Sequence, residues 1–79
     1  MPRYYFHIRS GLEGDYLDID PDGTHLRTLG AARAVAMKMA QELWADWPEA
    51  DRDTVIEIAN RDGQLLLVVS FSEAVGSEQ

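Results

Sequence analysis

The chain contains no cysteine, which excludes disulfide stapling, a thiolate nucleophile and thiolate-ligated metal. Proline is scarce: only Pro2, Pro21 and Pro48 occur, so each is expected to punctuate the fold rather than fill a flexible linker. No apolar run approaches the roughly 18 residues of a membrane-spanning helix. A secretory signal pattern is also missing, because charge and turn residues begin by Arg9. These absences make the cytoplasm the expected compartment. Basic residues are few, with 7 Lys and Arg against 14 Asp and Glu, a net charge of −7. A field of that sign disfavours nucleic acid, whose binding draws on several cationic contacts to phosphate, and disfavours anionic membranes for the same reason. A local basic patch around Arg3 and Arg9 is too small to reverse it.

What is present suffices for one small folded unit. At 79 residues and 46% hydrophobic, the chain is too apolar for intrinsic disorder and too short for more than one core. A single domain over residues 1–75 is expected, followed by a frayed tail at 76–79. Arg3-Tyr4-Tyr5-Phe6-His7-Ile8-Arg9 alternates as a strand does, with Tyr4, Phe6 and Ile8 on one row and Tyr5, His7 and Arg9 on the other. Ser10-Gly11-Leu12-Glu13-Gly14-Asp15 reads as a loop. Residues 16–19 read as a short strand paired back on the first, stopped by the turn Asp20-Pro21-Asp22-Gly23.

Thr28 is placed to cap a long helix that Pro48 terminates. Leu29, Ala32, Ala36, Met39, Ala40, Leu43 and Trp47 recur at spacings of three and four, so they form one apolar stripe. Its alanines let the helix approach a sheet closely. A charged connector over residues 49–53 leads to two strands, 54–59 and 64–71, around Asn60-Arg61-Asp62-Gly63, a strong hairpin signal. The last strand is apolar on both rows, with Leu65, Leu67, Val69 and Phe71 on one and Leu66, Val68 and Ser70 on the other. Such a strand is expected to be central or doubly covered.

The expectation is therefore an α+β fold, ββαββ, a four-stranded antiparallel sheet with one long helix on one face. A helix about 10 Å wide covers roughly two or three strands spaced about 4.8 Å apart. The other face would then carry Tyr5, Val55, Ala59, Leu66 and Val68, broken by Arg9, Glu57 and Ser70.

Motifs for chemistry are weak. Asp18-Ile19-Asp20-Pro21-Asp22-Gly23 matches the opening of a calcium loop, but the twelfth position is Leu29 where a bidentate Glu is needed. An acidic turn whose aspartates cap local amides is the simpler reading. His7 and His25 are the only histidines and lie in different elements, so neither a metal site nor a catalytic site is expected. No nucleophile elbow and no phosphate loop is present, since Gly11 and Gly14 precede no helix. No catalytic residue, cofactor or metal ligand is assigned. Trp47 continues the core stripe, whereas Trp44 lies to its side and is a candidate interface anchor.

The opening nine residues, Met1-Pro2-Arg3-Tyr4-Tyr5-Phe6-His7-Ile8-Arg9, resemble the start of a family of short bacterial proteins, domain of unknown function 6894, frequent in rhizobia and their relatives. Asp22-Gly23, Leu29-Gly30-Ala31-Ala32-Arg33-Ala34, Ile56-Glu57-Ile58, Asp62-Gly63 and Leu67-Val68-Val69-Ser70-Phe71 follow in the family's order. The chain departs from that pattern at Thr28 and Gly30, where many members carry acidic residues. The resemblance implies a bacterial origin and the domain's extent, and implies no activity or cofactor.

The function expected is that of a non-enzymatic interaction or regulatory module. It would homodimerise through the uncovered sheet face or an edge strand, using Tyr5, His7, Arg9, Trp44, Val55, Leu66 and Val68. The alternative is a binding domain for a small molecule or another protein that uses Tyr5, His7 and Arg9. Nucleic-acid binding is the least favoured reading.

Overall fold

Alternation over the first residues becomes strand β1, Arg3–Arg9, in which Tyr4, Phe6 and Ile8 are buried and the intervening residues are half-buried. The computed structural model describes residues 2–48 and 50–76. Of the expected tail at 76–79, residues 77–79 lie outside the described residues. After β1 come β2 (Tyr16–Asp18), β3 (Thr24–His25), α1 (Leu29–Asp46), β4 (Val55–Ala59), β5 (Leu65–Ser70) and α2 (Phe71–Val75). The fold is α+β: an open antiparallel sheet ordered β2-β1-β4-β5, with β3 also on β1 and one long helix against it.

Thr28 caps α1 as its sequence position predicts, its hydroxyl accepting the Ala31 amide at 3.0 Å. The helix ends at Asp46, where the Trp47 amide donates back to the Leu43 carbonyl at 2.8 Å, one residue before Pro48. Ala32, Ala36 and Ala40 are fully buried and bring the helix close to Ile56, Ile58 and Val69. Leu29, Met39, Leu43 and Trp47 pack around that line as half-buried neighbours. The helix axis runs nearest β4 and β5 rather than the middle of the sheet.

Four features differ from the sequence expectation. First, β5 is an edge strand, not a central one. Second, a bulge between Ile58 and Ala59 pairs Ala59 with Leu65 and leaves Leu66 as the extra residue, so Leu65 is 54% exposed instead of joining the inward row. Third, the last strand stops at Ser70, and Phe71 opens α2 as a fully buried residue. The Ser70 hydroxyl accepts the Glu73 amide at 3.0 Å, and α2 docks on α1 through Gln41 Nε2 to the Ala74 carbonyl at 2.9 Å and an Arg33–Glu73 ion pair. Ser70-Phe71-Ser72-Glu73 is the S-x-x-E pattern of a helix start, and that signal lay inside an apolar run that otherwise favours strand. Fourth, β2 ends at Asp18 and the chain returns to β1 as β3, with a loop between them that contains Ile19 and the acidic turn.

Candidate functional site

The face of the sheet turned away from α1 has a carboxylate at its centre. Glu57 is the middle residue of β4, opposite His7 on β1 and Val68 on β5. A charge between two core isoleucines on a central strand needs partners, because burial penalises the ionised form. Arg9 Nη1 donates to Glu57 Oε2 at 3.0 Å and the Tyr16 hydroxyl donates to Oε1 at 2.7 Å. Arg9 and Tyr16 are register partners across β1 and β2, so the sheet itself delivers both donors to one point. Arg9 also donates through Nε to the Gly14 carbonyl at 2.8 Å, and its guanidinium lies 4.8 Å from the centre of the Tyr16 ring. Tyr5 and His7 stack at 6.4 Å, and His7 meets Tyr16 edge-on at 6.3 Å.

The electrostatics follow from these contacts. Burial pushes the Glu57 carboxyl up, but the Tyr16 and Arg9 hydrogen bonds outweigh it and hold the group below its ordinary value. Tyr16 is pushed up, chiefly because its proton is held by Glu57. Arg9 is raised by the same carboxylate. The network therefore engages its charges with one another and pins β2 to the centre of the sheet. Beside it, Val55 and Ala59 are each 5% exposed, opposite Arg9 and Tyr5. Long side chains of β1 thus shelter small residues of β4 with no second layer.

The acidic turn has a different task. Asp20 accepts from the Phe6 amide through Oδ2 at 3.2 Å, and from the Asp22 and Gly23 amides through Oδ1 at 3.1 Å each. Its own amide donates to His7 Nδ1 at 3.1 Å. The carboxylate thereby stands in for the strand that is interrupted between β2 and β3. Partial burial pushes Asp20 up, and the amides of Gly23, Phe6 and Asp22, with His7 nearby, more than offset it and hold it low. His25 sits on β3 opposite Arg3, whose guanidinium lies 2.7 Å from its Nε2. Among the described residues no three of His, Asp and Glu converge as a metal-binding group. No helix among them is long and apolar enough to cross a membrane.

Of the candidate interface residues, Tyr5, His7 and Arg9 lie together on β1, and Val68 joins them across Glu57. Val55 belongs to the same face but is already buried within the chain. Leu66 is 39% exposed on the β5 bulge. Trp44 is apart from all of these on α1, 38% exposed, with the Arg52 guanidinium 5.9 Å from its ring centre. Sequence reasoning assigned no role to Tyr16 and read Glu57 only as a break in the outer apolar row, whereas its reading of an acidic turn whose aspartates cap local amides holds for Asp20. For Glu57 a signal existed in Ile56-Glu57-Ile58, since a carboxylate between two core residues implies donors elsewhere.

The sequence profile of a domain of unknown function, DUF6894, matches residues 3–72. The chain belongs to that family. The DUF6894 match runs from the first residue of β1 through Ser72 in α2, and so takes in both the Glu57 network and the Asp20 turn. The comparisons with curated proteins and with solved structures gave no match. Family membership supports the domain's extent and carries no activity with it.

Proposed function

We propose that this DUF6894 chain is a non-enzymatic interaction module that pairs with a second copy of itself along the outer edge of β5. The observation that carries the reading is the character of that edge. Leu65-Leu66-Leu67-Val68-Val69 lies on the last strand of the sheet, and Leu65 and Leu66 are exposed at 54% and 39%. No charged residue occurs from residue 64 to residue 72, in a chain of net charge −7. Edge strands are ordinarily protected by lysine, proline, inward charge or a bulge, and this one has only the bulge at Leu66. Two copies meeting here in antiparallel register extend the sheet by a two-fold axis and bring together the part of each chain where like charges do not oppose them.

Sedimentation equilibrium tests the reading. The wild-type chain is expected to shift from monomer to dimer between low and high micromolar concentration, since a strand-edge contact is smaller than a standard interface. Leu65→Lys with Leu66→Lys is expected to leave a folded monomer, because both side chains are exposed in the single chain. A monomer mass for the wild type throughout that range refutes the proposal.

A second reading places a ligand or protein partner on Tyr5, His7 and Arg9. It draws support from the Tyr5 hydroxyl and His7 Nε2, which have no hydrogen-bond partner among the described residues. Against it, Arg9 is already engaged by Glu57, Gly14 and Tyr16. Nucleic-acid binding ranks below both, given the acidic background, and retention on heparin at low salt is its test.

A further inference from the structure

The inner face of the sheet holds two apolar hollows. Because α1 runs nearest β4 and β5, the β2 side of the sheet is left without a helix over it. Two hollows open there against the flank of α1. One, of about 430 Å³, lies among Ile8, Leu17, Leu43 and Trp47. The other, of about 320 Å³, lies among Phe6, Ile19, Val35 and Met39. Asp18 lines both and is the junction between them. Leu17 on β2 and Ile19 just after it are 38% and 54% exposed, which a covering layer there would not leave.

We propose that this groove receives a basic amphipathic helix of another protein, with an apolar side chain in each hollow and a lysine or arginine on Asp18. The charge pattern selects that partner. Asp18 and Asp46 line the groove, and neither has a hydrogen-bond or ion-pair partner among the described residues. The first hollow also adjoins the C-terminal end of α1, where the helix dipole is negative and the last turn holds no basic residue. A cation entering the groove thus meets two unpaired carboxylates and a helix C-terminus, and the net charge of −7 steers it there.

The dimensions select a helix. From Val35 and Met39 to Leu43 and Trp47 the floor advances eight residues along α1, about 12 Å at 1.5 Å per residue. On a docked helix that distance separates positions i and i+7 or i+8, and the residue at i+4 faces the point between them, where Asp18 stands. Both hollows are open to solvent along the groove, so each can take a side chain of a docked helix.

The test uses the emission of Trp47, isolated by Trp44→Phe in the full chain. The probe is a synthetic 14-residue helical peptide with leucines at i and i+7 and lysine at i+4. Its controls are the same peptide with glutamate for each lysine, and one broken by a central proline. The basic helix is expected to give a saturable change in Trp47 emission that weakens with salt. Binding should fall about tenfold with Asp18→Asn plus Asp46→Asn, a change the sedimentation and melting behaviour of the chain does not follow. Amide shifts are expected on Leu17, Ile19, Met39 and Leu43, away from β5.

Three results overturn the proposal. One is equal binding of the acidic or the proline-broken peptide. Another is the absence of a saturable change up to about 1 mM peptide, the weak limit of specific recognition. The third is concentration-dependent shifts of groove residues without peptide, which would assign the groove to a second copy of the chain. Failure of the β5 dimer leaves each of these readouts unaffected.

Discussion

Replacing Asp20 by asparagine is the sharpest test of how the acidic turn is built. The carboxylate uses both oxygens, Oδ1 for the Asp22 and Gly23 amides and Oδ2 for the Phe6 amide. Asparagine has one acceptor oxygen, so it can serve the turn or the strand but not both. If it keeps the turn, its amino group faces the Phe6 N–H, donor against donor. The Phe6 amide is part-buried, and leaving such a donor unsatisfied costs about 1–3 kcal/mol. Of the two turn amides, that of Asp22 is exposed and water can replace its partner, whereas that of Gly23 is part-buried. Asp20→Asn is therefore expected to lower stability by about 2 kcal/mol at neutral pH, and Asp20→Ala, which also leaves the Gly23 amide without its acceptor, by more. In a domain of this size each kcal/mol moves Tm by about 4–8 °C.

The sign with pH is fixed by the direction of the shift. Asp20 is held below its ordinary value in the folded chain, so its stabilisation is present above the unfolded carboxyl range. It is lost as pH falls through the folded value. The gap between wild type and Asp20→Asn should therefore be full at pH 7 and close in strong acid. Urea unfolding at both pH values measures it, and hydrogen exchange of the Phe6 amide reads the local bond. Removing one negative charge from a chain at −7 relieves repulsion and acts in the opposite direction. An Asp20→Asn protein as stable as the wild type, or a gap independent of pH, refutes the account.

Glu57→Gln is expected to lower Tm by several degrees at neutral pH and by much less in acid, because Glu57 too is held low in the folded chain. Combined with Tyr16→Phe it should cost less than the sum of the two, since both act on one network; additive thermal shifts would show they are independent. Gly23→Ala should destabilise by about 1–3 kcal/mol in urea titration, because φ there is +73° and an added Cβ would lie 2.8 Å from Arg3 Cγ and 3.0 Å from the Tyr4 carbonyl oxygen. Gly63→Ala, at φ +83° with nothing within 4 Å, isolates the backbone part of that cost and should be the milder change.

Residue pattern alone placed the first strand, the capped alanine-rich helix and the last hairpin, because each is set by local rules. Period-two alternation put Tyr4, Phe6 and Ile8 inward, and they are buried. The Thr28 cap and Pro48 bounded α1 to within a residue or two. The Asn60–Gly63 turn closes as expected, with the Gly63 amide donating to the Asn60 carbonyl at 3.0 Å. What failed was the reading of residues 64–71 as one central strand. An apolar run of that length satisfies a doubly covered strand, but equally an exposed edge that passes into a short helix, and nothing local separates the two.

The outer face was legible only in part, for a related reason. Composition showed Tyr5, His7 and Arg9 facing away from the helix, but not that Arg9 and Tyr16 become cross-strand partners and converge on Glu57. Register is a long-range property: Arg9 and Glu57 are 48 residues apart. The same holds for the groove. A sequence shows that one helix cannot cover four strands, whereas which strands it leaves bare depends on where it seats, here over β4 and β5 and beside α2. Local chemistry thus determined the elements and their inward faces. Only tertiary structure decided the strand order, the partners of Glu57 and Asp20, and which apolar surface stays open. Those outcomes depend on packing between segments that no local pattern encodes.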